Sequence, residues 1–363
     1  MRRRAQFADP LLKRVSRIRN GSAPPSFQSK SAVAALDDTI SAECSDGRAP
    51  APPSPLVGEG RGGGSGGLCT ALLHSSTPTP DPSPQGGGEK NPAARATFAA
   101  NRADGRVSLV VAATPRGTRR TTTREEGSLR VRFPDAYGDT PEAVLVNTAG
   151  GIAGGDHFAV ALTLEAGARL AVTTAAAEKI YRSLGPNACV DVTATLADGA
   201  ELIWLPQETI LFDRGRLART VSIALAQSAA LLFAETIVFG RTAMGETVHE
   251  GRFTDRWLIR RNGRLVFAEN FRLDGPVAAR LNETAIAGGR HAIGTVLMSP
   301  GDDAAVAAAR AAAGQFRGEF GISAWGGIAL ARLAAPDGAA MRHDLVVLLS
   351  ALGRRTLPRI WLN

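Results

Sequence analysis

The stretch Leu196-Ala-Asp-Gly-Ala-Glu-Leu202 is the middle one of three similar turns, each of which joins two runs of β-forming residues. The other two are Leu164-Glu-Ala-Gly-Ala-Arg-Leu170 and Leu225-Ala-Gln-Ser-Ala-Ala-Leu231. The turns recur after 32 and 29 residues, within the range of about 20–50 residues that is typical of stacked repeats. One such unit cannot cover its own apolar face, so neighbouring units stack and bury it. The repeats therefore predict an elongated, mainly β fold of stacked strands, similar to a β-helix.

Short β-rich runs lie before, within and after the repeats, and turn residues such as Gly, Asp and Pro separate them, as in all-β proteins. We predict strands over Val107–Ala112, Ser128–Phe133, Phe158–Leu164, Arg169–Thr174, Cys189–Leu196, Glu201–Trp204, Thr220–Leu225, Leu231–Phe239, Arg256–Arg261 and Leu265–Ala268. The dipeptide Asn262-Gly263 predicts a type I′ hairpin turn between the last two strands.

Two later segments have a helical character. Asp302–Phe316 is rich in Ala and follows a Pro-Gly-Asp start signal, and Met341–Leu352 carries leucines at helical spacing before Gly353. We therefore expect about two α-helices near the C-terminal end of the β structure.

The first 95 residues differ in composition from the rest of the chain. They contain 12 Pro and 12 Gly, and such segments bury too little apolar surface to offset the entropy lost on ordering. We predict that residues 1–95 are disordered and that one domain occupies residues 96–363. The extension looks like translated intergenic repeat DNA, so a start codon assigned too early is one explanation and a genuine disordered tail is the other.

The formal net charge of +8 does not indicate a nucleic-acid-binding protein. The excess of basic residues is divided equally between residues 1–95 and 96–363, and the chain has only two Tyr, too few for an aromatic surface on which bases stack. No apolar run has the character of a secretory signal or a membrane span. The sequence predicts a cytoplasmic protein without nucleic-acid or membrane partners.

The glycine-rich stretch from Asn147 to Asp156 is not a dinucleotide-binding fingerprint. Ala149 stands where the first Gly would be, and an alternating, strand-like run follows instead of a helix. The chain also lacks a P-loop motif. We expect a tight turn that needs positive φ angles.

The sequence does not predict a tight metal site. The five His lie far apart and form none of the short pairs that hold zinc or nickel. Asp156-His157 could bind a metal weakly, although a lone surface His is the more common case. Any metal handled by this chain would meet oxygen ligands and be held transiently.

Each turn is followed by a glutamate and then by an arginine. The glutamates are Glu178, Glu208 and Glu235, and the arginines are Arg182, Arg214 and Arg241. Because stacked repeats align equivalent side chains, we expect the glutamates to form a file. Buried carboxylates are paired or coordinate something, so Glu–Arg pairs that hold the repeats together and a functional polar path both stay open. A carboxylate-dependent hydrolase on a β-solenoid scaffold is the alternative, and it requires two acids about 5–9.5 Å apart.

Six blocks of the sequence resemble the urease accessory protein family UreD, also called UreH. They are Leu145–Asp156, Thr173–Arg182, Trp204–Asp213, Gly240–Glu246, Asp255–Trp257 and Leu357–Trp361. The blocks follow the order of that family and extend over residues 96–363.

The resemblance implies a mostly β, non-enzymatic chaperone that helps to load nickel into the urease apoprotein. Proteins of this family bind UreF, through which the GTPase UreG is recruited, and they contact the urease apoprotein. GTP would be bound only by UreG, in agreement with the missing P-loop. No cofactor would be tightly bound, and Ni²⁺ would pass transiently.

The resemblance also assigns roles to individual residues. It places Asp156, Glu178, Glu208 and Asp213 near the nickel path, and our further hypothesis is that Glu235 and Glu246 extend this path. It gives partner-binding or structural roles to Tyr181, Arg182, Arg241, Asp255 and Trp257. The helix around Leu345–Leu352 and a β edge are candidate UreF-binding surfaces, although burial of the helix against the sheet is the more common arrangement.

Overall fold

The computed structural model describes residues 101–134, 140–353 and 357–361. The extension over residues 1–95 lies outside the described residues. The first ten strands are β1 (Asp104–Thr114), β2 (Gly117–Gly127), β3 (Leu129–Arg132), β4 (Glu142–Asn147), β5 (His157–Leu164), β6 (Arg169–Thr174), β7 (Glu178–Ile180), β8 (Ala188–Leu196), β9 (Glu201–Trp204) and β10 (Thr209–Leu211). They are followed by β11 (Arg216–Leu225), β12 (Ala230–Phe239), β13 (Gly251–Arg261), β14 (Arg264–Gly275), β15 (Ala292–Ser299), β16 (Glu319–Trp325) and β17 (Ile328–Ala335).

The strands form two sheets with parallel centres. The first has the order β14-β13-β11-β8-β5-β1-β2, and its five middle strands are parallel while β2 and β14 are antiparallel edges. The second has the order β16-β17-β15-β12-β9-β6-β4-β3, with parallel strands from β4 to β12. Strand β10 pairs with the end of β12, β7 pairs with β10, and together they form a third, short wall. The mainly β, stacked-strand fold is therefore confirmed.

The predicted turns connect the first sheet to the second at each level. Their first leucines pair across β5, β8 and β11, as Leu164, Leu196 and Leu225. Their last leucines pair across β6, β9 and β12, as Leu170, Leu202 and Leu231. All six are at most 3% exposed, and burial of a leucine side chain is worth about 1.5–3 kcal/mol. These two apolar ladders explain why the turn motif recurs.

The glutamates do not form the file that the repeats led us to expect. In each copy the chain turns a corner between the second sheet and the short third wall. The last ladder before this corner consists of Val172, Trp204 and Phe233. Another stands after the corner and consists of Ile180, Leu211 and Phe239, with Ile152 bridged to its first member. The corner between the ladders contains seven residues in the first copy, six in the second and five in the third.

Each copy of the corner is thus one residue shorter than the copy before it. Glu178, Glu208 and Glu235 consequently stand two, three and four residues before the second ladder. Because side chains alternate between the two faces of a strand, a shift of one residue turns a side chain to the opposite face. The expectation of a glutamate file is wrong: Glu178 is level with Thr209 and Ile237, and the ladders on either side of the corner are apolar.

Among the described residues of the C-terminal half, three segments form α-helices, namely α1 (Val277–Asn282), α2 (Asp303–Ala311) and α3 (Gly338–Leu352). The predicted helices correspond to α2, which ends earlier than expected, and α3, which starts earlier; α1 was not predicted. Asp302 and Asp337 cap α2 and α3 by accepting main-chain N–H bonds of 3.0 and 2.8 Å, which satisfies donors that a helix start leaves free.

The protein has three layers, because α2 and α3 pack on the outer face of the second sheet. One apolar core fills the space between the two sheets, and a second lies between the second sheet and the helices. Leu345, Leu348, Leu349 and Leu352 of α3 belong to this second core, so they are buried as the more common arrangement predicts. The segment 357–361 packs beside them through Trp361, whose indole N–H donates to the Leu205 carbonyl at 2.9 Å. Among the described residues, no helix is long and apolar enough to cross a membrane.

Candidate functional site

A charged cluster lies between the two sheets, where the core is otherwise apolar. Arg219 of β11 donates to both carboxylate oxygens of Asp255 on β13, at 3.0 and 2.5 Å. Its third nitrogen donates to Glu235 of β12 at 2.5 Å. Their exposed fractions are 6% for Arg219, 5% for Glu235 and 3% for Asp255, so one buried guanidinium holds two carboxylates on facing sheets.

Aromatic side chains complete the cluster. The indole N–H of Trp204 donates to Glu235 at 2.9 Å, and that of Trp257 donates to Asp255 at 2.8 Å. The ring of Phe233 packs against both indoles, with centroids 6.1 Å from Trp204 and 4.7 Å from Trp257. Each carboxylate therefore has a cation and an indole as donors, as buried charges require.

Burial and the shared cation shift the pKa values of this cluster. Burial raises the pKa of Glu235 to about 7, because its cost exceeds the attraction of Arg219 and because Asp255 adds repulsion. Burial also opposes the charge of Arg219, but the two carboxylates outweigh it and the pKa of the guanidinium is raised. Arg219 thus stays charged, while Glu235 can hold a proton near neutral pH.

The cluster is not arranged like the acid pair of a hydrolase. Glu235 and Asp255 are enclosed between the sheets and bound to the same guanidinium. Such enzymes place their two acids on either side of a scissile bond, which needs a cleft that a substrate can enter. The geometry instead joins the two sheets, with Asp255 and Trp257 in the interior.

Glu178 and Glu208 occupy a different environment, at the corner between the second sheet and the third wall. Glu178 is half-buried and accepts a hydrogen bond of 3.1 Å from the Asn147 side chain. Burial raises the pKa of its carboxyl, although Asn147 and the charge of Lys179 act in the opposite direction. Its main-chain N–H donates to the Glu208 carbonyl at 2.9 Å, so the two glutamates lie on neighbouring levels.

Glu208 is also half-buried, and its carboxylate interacts electrostatically with Arg342 of α3. Arg342 lies over the Trp361 ring, 4.3 Å from its centroid, and donates to the side chain of Gln207. The C-terminal segment and α3 therefore reach the corner that carries the two glutamates.

The remaining candidate carboxylates hold loops in place. Asp156 is buried and accepts main-chain N–H bonds from Ala103 and Ala153, at 2.9 and 2.7 Å. Asp213 accepts main-chain N–H bonds from His249 and Glu250, at 2.8 and 3.1 Å. Both side chains are engaged by main-chain donors of neighbouring loops.

Glu246 is paired with Arg241 at 2.9 Å, and this contact lowers the pKa of the Glu246 carboxyl. The Glu–Arg pairs that the sequence left open do form, although with partners other than those that follow one another in the repeat motif. Glu235 pairs with Arg219 instead, and Arg241 pairs with Glu246. Arg182 and Arg214 are exposed, with Arg182 bridged through its main chain to Gly215.

The glycine-rich stretch forms the tight turn expected from the sequence. Gly150 and Gly155 have φ angles of +78° and +90°, which L side chains rarely adopt. A Cβ on Gly151 would lie 2.3 Å from the ring of Tyr181. This close approach lets the Tyr181 hydroxyl donate to the Gly150 carbonyl at 3.0 Å.

The candidate residues do not come together in one metal site. In residues 101–134, 140–353 and 357–361, no group of three or more His, Cys, Asp or Glu side chains is placed to hold a metal ion. Of the six carboxylates proposed for a nickel path, Glu178 and Glu208 are neighbours at the corner, Asp213 and Glu246 lie on the loops beyond it, and Asp156 and Glu235 are buried elsewhere.

Sequence reasoning missed Arg219, although the sequence contains a signal for it. In Leu217–Leu225 the alternating positions Leu217, Val221, Ile223 and Leu225 face the core, and Arg219 lies on the same alternation. Glu235 and Asp255 occupy the same kind of inward position in their own strands. One arginine and two acids at inward positions of three consecutive strands predict a buried ion cluster.

The fold and these sites define a class of protein: a stacked-strand scaffold with a closed ionic core and half-buried carboxylates at one corner. The sequence profile of the family described as UreD urease accessory protein matches residues 103–362. A protein of Rhodopseudomonas palustris strain HaA2, named urease accessory protein UreD, is 54% identical over 275 residues, which cover 76% of this chain and 99% of the relative.

Two further relatives carry the same name. One from Rhodopseudomonas palustris strain BisA53 is 55% identical over 74% of this chain and 93% of its own length. One from Bradyrhizobium diazoefficiens is 52% identical over 73% of this chain and 96% of its own length. The chain belongs to the UreD family of urease accessory proteins.

Proposed function

We propose that this protein is a non-catalytic chaperone of urease maturation, which joins UreF and UreG on the urease apoprotein and assists the insertion of nickel. The observation that carries the proposal is the family match, which extends over almost all of the described chain. The proposal keeps the cytoplasmic location expected from the sequence, and it assigns GTP hydrolysis to UreG.

Within this proposal, nickel is the cargo of the chain and Glu178 and Glu208 are the side chains that contact it. Both are half-buried on neighbouring levels, and Glu178 is held by an amide, not by a guanidinium. Carboxylate oxygens and water bind a divalent ion more weakly than thiolate or imidazole clusters do. A carrier that must release its ion benefits from such ligands.

The other four carboxylates take a positioning role in the proposal. Glu235 and Glu246 are each paired with an arginine, and Asp156 and Asp213 each accept two main-chain N–H bonds. Their removal should alter nickel loading through the shape of the loops and the core. Glu178 and Glu208 should act on loading without a comparable loss of stability.

The test is co-expression of this chain with UreF, UreG and apo-urease, followed by measurement of complex formation and of nickel per urease active site. Omission of the chain should abolish loading under limiting nickel. Glu178→Gln and Glu208→Gln should form the complex but load less nickel, whereas Glu165→Gln, an exposed control in the first repeat turn, should load normally. Full loading without the chain would overturn the proposed function.

A further inference from the structure

One arginine joins helix α3 and the C-terminal segment to the corner of the second copy. Arg342 of α3 is partly buried, and its guanidinium donates to the side-chain oxygen of Gln207 and, at 3.0 Å, to the carbonyl of Ile360. The same group lies over the Trp361 ring, 4.3 Å from its centroid. Contacts in these different directions hold a side chain that is otherwise rich in rotamers.

The segment 357–361, on which Arg342 rests, is itself fixed to the second sheet. The indole N–H of Trp361 is shared between the Leu205 carbonyl at 2.9 Å and the Thr173 hydroxyl at 3.3 Å, and this side chain is 4% exposed. Arg342 is therefore supported by a packed aromatic ring and not by a loose chain end.

Gln207 connects Arg342 to the corner. Its main-chain N–H donates to the Thr174 hydroxyl at 2.9 Å, and its side-chain N–H donates to the Thr173 hydroxyl at 3.4 Å. Arg342 donates to the oxygen of the same amide. Gln207 is 8% exposed, so removal of the arginine would leave a buried amide oxygen without this donor, which is costly.

The two glutamates of the corner lie directly beyond Gln207. Glu208 is the next residue, and its carbonyl accepts the main-chain N–H of Glu178 at 2.9 Å. The main chain of Glu208 is thus held by Gln207 on one side and by Glu178 on the other. Burial lowers the pKa of the Arg342 guanidinium, and the negative charge of Glu208 opposes this shift.

We propose that Arg342 is a positioning residue for nickel: through Gln207 it holds Glu208 beside Glu178, so that both carboxylates reach one ion. Arg342 does not contact the ion, because both are positively charged. Groups that orient metal ligands from behind typically change metal affinity by about 10–100-fold when they are removed. This inference rests on the proposed function, since it explains how the corner that receives nickel keeps its shape.

The test is co-expression of the full chain with UreF, UreG and apo-urease over a range of nickel concentrations, with nickel per urease active site as the readout. Arg342→Met should form the complex but need about ten times more nickel than the wild type for half-maximal loading. Excess nickel should restore full loading, because a carrier with intact structure and weaker affinity still fills at high concentration.

Arg310→Met is the matched control. Arg310 lies on the other outer helix, α2, and donates to the main-chain carbonyl of Ile322 at 3.2 Å. Ile322 belongs to β16, at the opposite end of the second sheet from β4 and β3 and three strands away from β12. The control removes the same charge and a similar contact, and it should load nickel like the wild type.

Further variants separate positioning from a general loss of stability. Gln207→Met removes the same hydrogen bond from its other side and should raise the half-maximal nickel concentration by a similar factor. Arg342→Lys keeps a cationic donor and should recover part of the loss. The double variant Arg342→Met/Glu208→Gln should load as much nickel as Glu208→Gln alone, because the arginine acts through that carboxylate and the two effects are not additive.

The outcomes separate the inference from the proposed function. If urease is fully loaded without the chain, the proposed function fails and the inference fails with it. If loading requires the chain but Arg342→Met and Gln207→Met load at wild-type nickel concentrations, the inference is overturned and the proposed function stands. The same conclusion follows if excess nickel does not restore loading, if the double variant loads less than Glu208→Gln, or if neither single variant forms the complex, since Arg342 would then have a purely structural role.

Discussion

The first and third copies of the repeat use the same residue types in opposite ways. In the first copy, Glu178 is half-buried at the corner and accepts a hydrogen bond from the Asn147 side chain. In the third copy, Glu235 is enclosed between the sheets and held by Arg219 and Trp204. The pKa of both carboxyls is raised by burial. Glu178 is nevertheless partly exposed to solvent, whereas Glu235 is enclosed and bound to Arg219.

The difference arises from the length of the corner. Each copy is one residue shorter than the copy before, so equal positions in the sequence reach different positions in space. A repeat can therefore keep its apolar ladders while it assigns its charged side chains to separate roles. Variants of these side chains test whether Glu235 has a structural role and whether Glu178 lacks one.

Arg219→Met should cause the largest effect, because it leaves Glu235 and Asp255 buried without a cation. We expect a loss of about 3–5 kcal/mol in the free energy of unfolding, which corresponds to a Tm lower by roughly 10 °C. Urea and thermal unfolding measure both. Arg260 is a partly buried arginine on β13. Its variant Arg260→Met is the control and should change the free energy of unfolding and the Tm little.

The triple variant Arg219→Met/Glu235→Gln/Asp255→Asn supplies the second control, since it removes the charges together. It should recover part of the lost stability. A loss below about 1 kcal/mol for Arg219→Met alone would mean that the cluster does not hold the sheets together.

Glu235→Gln should change how stability depends on pH. The pKa of Glu235 rises from an ordinary 4.5 to about 7 in the folded protein. Between these values the unfolded chain releases the proton while the folded chain keeps it, so this group lowers stability as pH rises from about 4.5 to 7. A shift from 4.5 to about 7, at about 1.4 kcal/mol per pKa unit, gives a total effect of roughly 3 kcal/mol.

Urea unfolding of the wild type and of Glu235→Gln between pH 5 and pH 8 measures this effect. The wild type should lose stability relative to the variant as pH rises to about 7, and the difference should then level off. Parallel curves over the whole range would show that the carboxyl is not perturbed.

Glu178→Gln should have a small effect on stability and a large one on nickel loading. Burial raises the pKa of Glu178, so the neutral amide removes a charge that the folded state disfavours, and the amide can still accept from Asn147. We expect stability to change by less than about 1 kcal/mol, with loading reduced. A large loss of stability would assign Glu178 to the same structural role as Glu235.

Arg241→Met should have the smallest effect of the series. Its contact with Glu246 is exposed to solvent, and exposed ion pairs contribute little to stability. Thermal melting should be indistinguishable from that of the wild type. A clear decrease would show that the loops after β10 and β12 depend on this ion pair.

Much of the fold could be predicted from the sequence, because the turns and the inward leucines repeat. The same approach missed β2, whose residues are almost all exposed and polar, and β7 and β10, which are three residues long. It also missed β15 and β17, because strands covered by the first core on one side and by helices on the other lack the alternation that marks a half-buried strand.

The candidate site was predictable only in part. The sequence identified Glu178, Glu208 and Glu235 as related positions, but their register depends on the number of residues in each corner. Arg219 could have been found from the alternation of Leu217–Leu225. The contact of Arg342 with Gln207 could not, because the two residues are 135 positions apart and only the docking of α3 brings them together.

The sequence by itself determined the stacked strands, the repeat turns, the hairpin at Asn262-Gly263 and the family to which the chain belongs. These features are local or periodic, since turn chemistry and apolar alternation act over a few residues. The tertiary structure alone decided which charges meet. Arg219, Glu235 and Asp255 come from three strands on two sheets, and the electrostatics of a buried carboxylate depend on neighbours that only the folded packing supplies.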